Sequence, residues 1–192
     1  RRVLFRSSGG TLQVGAGGTT GVLGAGNITN NANLTFNRSN AIAVANNISG
    51  TGNLSQAGTG TTTLSSAANS YSGTTNVTAG SLVLSGGGNA NSVTNVAAGA
   101  TLNVTTASAS VKSLAGSGSV VLTGKTLTLA NANDSFSGVI SGDGNLTVAI
   151  GSEQLSGNNT YTGSTTINSG ATLNLSGKDR KSTRLNSSHV KR

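Results

Sequence analysis

One short pattern recurs along this chain and limits its fold more than any other feature: an apolar residue, a polar residue, and an apolar residue again. It appears as Leu12-x-Val14, Leu34-x-Phe36, Leu82-x-Leu84, Leu102-x-Val104, Leu127-x-Leu129, Leu146-x-Val148 and Leu173-x-Leu175, each flanked by Thr, Asn, Ser or Gly. Period-two alternation is the mark of a half-buried strand. Helical spacing at i, i+3 and i+4 is not sustained, and glycine interrupts throughout, so no long helix is expected. Starting points at Leu12, Leu34, Leu54, Leu82, Leu102, Leu122, Leu146 and Leu173 lie 20 to 28 residues apart. A strand every twenty-odd residues, with no room for a crossover helix, predicts a chain that coils so that each rung stacks on the last. The expected fold is therefore all-β, a parallel β-helix of about eight rungs, incomplete at both ends, and about 40 Å long at the usual strand spacing. A hairpin meander would call for paired strands joined by Asn-Gly or Asp-Gly turns. The sequence offers a single such dipeptide, Asp143-Gly144.

Composition agrees with a narrow coil. Aromatics make up 3% of the 192 residues and hydrophobic residues 34%, beside 29 Gly and no Pro, Cys, Met or Trp. A globular core built on large aromatics is disfavoured. Disulfides and thiolate zinc sites are excluded, and no apolar run approaches the length of a membrane helix. With no signal peptide and no initiating Met, the chain reads as a fragment.

The net charge of +8 is an end effect. Arg1, Arg2 and Arg6 open the chain, and Lys178, Arg180, Lys181, Arg184, Lys191 and Arg192 close it. One DNA string read on opposite strands encodes both Asp179–Arg184 and, in a shifted frame, Arg2–Ser7. It resembles a sequencing-library adapter, so residues 1–7 and 178–192 are expected to be translated artefact without a fold. Residues 8–177 then form the repeat region, in which Arg38, Lys112 and Lys125 balance Asp134, Asp143 and Glu153. A nucleic-acid partner, which the overall charge would suggest, is not expected. His189 leaves with the tail, and with it histidine acid–base chemistry.

A longer unit overlies the rungs. Ile48-Ser-Gly-Thr-Gly-Asn-Leu54 matches Ile140-Ser-Gly-Asp-Gly-Asn-Leu146; Leu64 with Asn69-Ser-Tyr71-Ser-Gly73-Thr-Thr75 matches Leu155 with Asn159-Thr-Tyr161-Thr-Gly163-Ser-Thr-Thr166; and Ala79–Leu84 matches Ser169–Leu175. A degenerate third copy runs from Leu114-Ala-Gly-Ser-Gly-Ser-Val120 to Phe136-Ser-Gly138. Gly is expected to supply positive φ at corners, Asn to tolerate the left-handed region and stack in ladders, and Thr to suit pleated faces.

This unit resembles the autotransporter-associated β-strand repeat of Gram-negative autotransporter passenger domains. The likeness is close over Ile48–Leu84 and Ile140–Leu175, looser over Leu114–Gly138, and only compositional over residues 8–47. It implies a secreted, right-handed parallel β-helix stalk at the cell surface, tethered to the outer membrane through a C-terminal β-barrel of the parent chain. The stalk would display adhesive or effector regions located elsewhere. The alternative is a direct adhesin that binds host glycan or protein or mediates cell–cell aggregation through self-association. A polysaccharide-active β-helix enzyme ranks third.

No catalytic, cofactor-binding or metal-binding residue is expected. Paired carboxylates could cleave glycosidic bonds, but Asp143 stands where Thr51 stands in the other copy and reads as a corner. Asp134 reads as an Asx turn. Glu153 lacks a partner acid and reads as turn or solvated surface. Lys112 and Lys125 read as exposed charges that discourage edge pairing. Gly15–Gly18 and Gly86–Gly88 lack the spacing that cradles phosphate, and the lone Gly142-Asp-Gly144 does not recur as calcium repeats do. The N-x-S/T motifs at Asn27, Asn53, Asn103 and Asn145 follow from corner asparagines beside alternating strands. Phe36, Tyr71, Phe136 and Tyr161 read as a recurring packing contact in preference to a sugar-stacking row.

Overall fold

A computed structural model describes residues 5–177. Among them there are 23 strands and no helix, and the strand pairings are parallel. One turn of the coil takes three strands, for example Thr101–Val104, Ala109–Val111 and Leu114–Gly116. Each belongs to a different sheet, of six, five and nine strands respectively. A further three-stranded sheet, Phe5–Ser7, Ile28–Asn30 and Ile48–Ser49, carries the first turns of the face that the five-stranded sheet continues. The chain is thus a three-faced parallel β-solenoid of about nine turns, since the longest face holds nine strands.

Register explains the uneven spacing of the leucines. Leu12, Leu34 and Leu54 stand over one another on the nine-stranded face. Leu82 and Leu102 stand on the six-stranded face, where Val104 pairs with Leu122. Leu146 lies on the five-stranded face and Leu173 on the nine-stranded one. Intervals of 20 to 22 residues are single turns within a face, and the longer ones arise where the leucine pattern moves on to the next face. The ninth turn escaped the leucine count because threonine fills the inner position: Leu54 pairs with Thr75, and Thr75 with Thr94.

Inward residues form continuous columns, such as Leu82, Leu102, Val120 and Ile140, each fully buried. Burial of a Leu or Ile side chain is worth about 1.5–3 kcal/mol, and the backbone ladders satisfy the polar groups that come inside with it. Residues 8–47, which share only composition with the repeat, form the same rungs, with Leu34 and Phe36 in the core.

Phe5–Ser7 depart from expectation. They form a strand in register with Ile28–Asn30, and the Ser7 carbonyl accepts the Asn31 N–H at 2.7 Å. The expectation that residues 1–7 carry no fold therefore does not hold for these three. The ladder edge of Ile28–Asn30 offers hydrogen-bonding groups to any extended backbone that follows it, whatever its side chains. Residues 1–4 and 178–192, with His189 and most of the terminal charge, lie outside the described residues.

Candidate functional site

The repeat is a device for locking one rung to the next. In the first copy the Asn69 Oδ1 accepts the Ile48 N–H at 3.0 Å, and the Asn53 Oδ1 accepts the Thr74 N–H at 2.9 Å. In the second copy the Asn159 Oδ1 accepts the Ile140 N–H at 2.9 Å, and the Asn145 Oδ1 accepts the Ser164 N–H at 2.7 Å. Two halves of one motif, about twenty residues apart, thus become neighbours one turn apart and satisfy each other's corner amides. Inside the corner, the Tyr71 hydroxyl meets Thr75 Oγ1 at 2.6 Å, and the Tyr161 hydroxyl meets Thr165 Oγ1 at 2.5 Å. Thr75 Oγ1 also meets Ser92 Oγ at 2.8 Å. Burial pushes the Tyr71 phenol above its ordinary value, partly offset by hydrogen bonds from Thr75, Asn89 and Ser92.

The two glycines of Gly-x-Gly do different work. Gly50, Gly116 and Gly142 take positive φ, as a corner requires. Gly52, Gly118 and Gly144 do not; their carbonyl oxygens sit under Gly73, Gly138 and Gly163 so closely that a Cβ there would come within 3.0 Å. Close approach of stacked corners explains these positions. Asparagine also departs from expectation: among the described residues no non-glycine has positive φ, because the amide side chains hold their corners by hydrogen bonding. The expected ladder is confined to contacts such as Asn53 Nδ2 to Asn33 Oδ1 at 3.3 Å.

The aromatics all point inward. Phe36, Tyr71, Phe136 and Tyr161 are buried, so their faces cannot stack on a sugar. Asp143 is exposed at its corner, and its Oδ1 accepts the Gly124 N–H at 2.7 Å. Lys112 and Lys125 are half-buried. Asn53, Asn103 and Asn145 are engaged with neighbouring rungs through Thr74, Ser81 and Ser164, whereas Asn27 is exposed. Gly17 of the Gly15–Gly18 run donates to the Asn37 carbonyl at 2.8 Å, and Gly88 closes a rung beside Ser110. Among the described residues no three His, Cys, Asp or Glu side chains gather.

Two charged residues sit where sequence reading did not put them. Glu153, expected at a turn or on the surface, is fully buried. Its Oε2 accepts the Ser113 hydroxyl at 2.9 Å while its Oε1 has no partner. Burial raises its pKa to about 8; the Ser113 hydroxyl and the backbone amides of Leu114 and Asp134 oppose the shift, and the Asp134 charge reinforces it. A substrate cannot reach it. Arg38 is also buried, and its guanidinium donates to the Asn40 side chain and to the carbonyls of Gly21 and Thr19. It pins the segment between Val14 and Ile28, where one turn lacks its third strand. Alternation carried the signal for both: Arg38 follows Leu34 and Phe36 on the inward parity, and Glu153 shares the parity of Leu155.

Residues 54–84 and 141–175 match the Passenger-associated-transport-repeat family. The matched residues include Asn69, Tyr71 and Gly73 of the first copy and Asn145, Asn159, Tyr161 and Gly163 of the second, while their bonding partners Ile48, Asn53 and Ile140 lie just before the matched stretches. The chain is also 42% identical over 134 residues to the Adhesin BmaC autotransporter of Brucella suis biovar 1 (strain 1330), a stretch covering 63% of this chain and 4% of that protein. The chain therefore corresponds to a small part of the length of that relative. No solved structure gives a significant match.

Proposed function

We propose that this chain is a segment of the passenger region of a bacterial autotransporter and serves as a rod that carries adhesive or effector regions away from the cell surface. The observation that carries this reading is the interlock: the side chains that both repeats share are spent on holding one turn to the next. Asn53, Asn69, Asn145 and Asn159 bond rung to rung, and Tyr71 and Tyr161 are sealed inside. Such a coil gains stability turn by turn and can be extended by adding turns. The reading includes tethering to the outer membrane through a C-terminal β-barrel of the parent chain, and a non-enzymatic role. It takes residues 8–177 as the working repeat region and the outermost residues as adapter-derived.

The similarity to an adhesin favours a second reading, in which this segment itself binds host glycan or protein, or another copy of the rod. Replacing it in the parent protein by an unrelated parallel β-solenoid with the same number of turns separates the two. A rod retains adhesion after the exchange. A direct adhesin loses it while surface display is unchanged.

A further inference from the structure

The ladder of the nine-stranded face is weakest where the repeat is degenerate. Leu114–Gly116 and Ser135–Phe136 are held by one register pair, Gly116 with Phe136, whereas the neighbouring pairings on this face involve two to four. Glu153 lies beside this gap. Ser135 pairs with Gln154, which places Asp134 next to Glu153 on adjacent turns, and the Asp134 carbonyl accepts the Gln154 N–H at 3.1 Å. The Glu153 side chain reaches back past the Asp134 turn to the Ser113 hydroxyl, 40 residues earlier. Ser113 Oγ in turn accepts the Asn133 N–H at 3.0 Å. Three successive turns are joined through one carboxyl group at the place where the backbone ladder is thinnest.

We propose that Glu153 is a proton-held stitch: as the neutral acid it joins these three turns across the ladder gap, and its ionisation loosens the coil there.

The surroundings favour the neutral form. Glu153 is fully buried, its Oε1 has no partner within hydrogen-bond geometry, and its cross-strand neighbour on the following turn is Leu173; the Ser113 hydroxyl and the backbone amides of Leu114 and Asp134 favour the ionised form, but burial outweighs them. An ionised carboxylate placed so would be under-solvated. The charged group facing it is Asp134, whose negative charge opposes ionisation. On the other packed elements, Lys112 precedes Ser113 and is half-buried, Lys125 precedes the strand Thr126–Leu129, and Asp143 is exposed and bonded to the Gly124 N–H. None of the three is bonded to Glu153. The strand Thr172–Leu175 that covers it on the next turn carries no charge.

The sign follows from linkage. The unfolded chain gives up this proton near 4.5, whereas the closed coil holds it to about 8. Between those values the open state binds fewer protons, so the closed state loses stability as pH rises and levels off above about 8. This is opposite to the usual carboxylate, which stabilises a fold as pH rises. Because solenoid stability is roughly additive along the turns, the effect is local to the turns around Glu153.

Glu153 is the one glutamate in the chain, so carboxyl carbon-13 labelling of glutamate reads it alone. The full chain should show a resonance that titrates with a midpoint above pH 7; a midpoint in the ordinary carboxyl range overturns the proposal. Amide exchange, corrected for intrinsic rates, should show protection of residues 133–155 falling by roughly tenfold or more between pH 5 and 8.5 relative to residues 75–104. In Glu153→Gln, a neutral side chain of the same shape, that ratio should stay flat. An equal fall in the variant, or none in the parent, overturns it; if the variant does not fold, the carboxyl titration decides alone.

Discussion

Gly163 stands directly over Gly144 one turn earlier, so close that a Cβ on Gly163 would come within 3.0 Å of the Gly144 carbonyl oxygen and the Asn145 side chain. Gly73 stands in the same way over Gly52, and Gly138 over Gly118. The three copies of the repeat share this contact although they begin on different faces of the coil. Ile48 starts on the three-stranded sheet, Leu114 on the nine-stranded one and Ile140 on the six-stranded one. Each copy is therefore shifted around the axis by a face relative to the others, and the same corner is built in three directions.

Gly73→Ala and Gly163→Ala should each destabilise by about 2–3 kcal/mol, since backbone must move to admit the methyl group. Gly18→Ala is the control: nothing lies within 4 Å and its φ is not positive, so it should be neutral or stabilise by about 0.5 kcal/mol. Chemical denaturation followed by circular dichroism measures all three.

Asn159→Ala should cost about 1–3 kcal/mol, because it leaves the Ile140 N–H unpaired in a buried corner. Asn174→Ala, whose exposed amide reaches only the Ser152 hydroxyl, should fall within about 0.5 kcal/mol of the parent. Equal losses at the two sites would contradict the assignment of Asn159 as a rung lock.

Tyr71→Phe keeps the buried ring and removes the hydroxyl bonded to Thr75; a loss of about 1 kcal/mol is expected. Because burial raises the Tyr71 phenol above its ordinary value, its absorbance should stay that of the neutral phenol as pH passes through 10 and change only when the coil opens. Titration by ultraviolet difference spectroscopy, with Tyr71→Phe as the blank, reads this directly.

Arg38→Met should free the segment between Val14 and Ile28 by removing its bonds to Thr19 and Gly21. Amide exchange is expected to rise in residues 15–27 and to remain unchanged beyond residue 75, since coupling in a solenoid runs between neighbours. A global loss of protection would show that this cation supports the whole coil.

The full chain should bind a polyanion such as heparin at low salt and release it as salt rises, and residues 8–177 should not bind at all. That segment carries little net charge: Arg38, Lys112 and Lys125 stand against Asp134 and Asp143, with Glu153 adding a negative charge only above about pH 8. Retention on a heparin column by the shortened chain would return a polyanion partner to consideration.

Much of this was legible in the order of residues. Period-two alternation identified the strands because a strand must turn every second side chain to one side, and twenty-odd-residue recurrence identified the coil. What misled was the assumption that an acidic side chain marks the outside, which put Glu153 at a turn or on the surface. Glu153 and Arg38 both occupy inward parity, and strict use of the alternation would have placed them indoors. Aromatic positions before Ser-Gly or Thr-Gly were read correctly as packing, since their spacing to Thr75 and Thr165 repeats with the corner they fill.

Sequence alone determined the strands, the repeat and the class of fold, because alternation and recurrence are local properties of the chain. Only the tertiary structure decided which residues meet between turns. Stacking twenty residues apart depends on the length of every intervening corner, and a single corner longer or shorter moves the pattern to another face. That is why the three copies point in three directions, why Gly52 and Gly73 need space while Gly50 needs positive φ, and why Glu153 lies beside Asp134 within reach of Ser113.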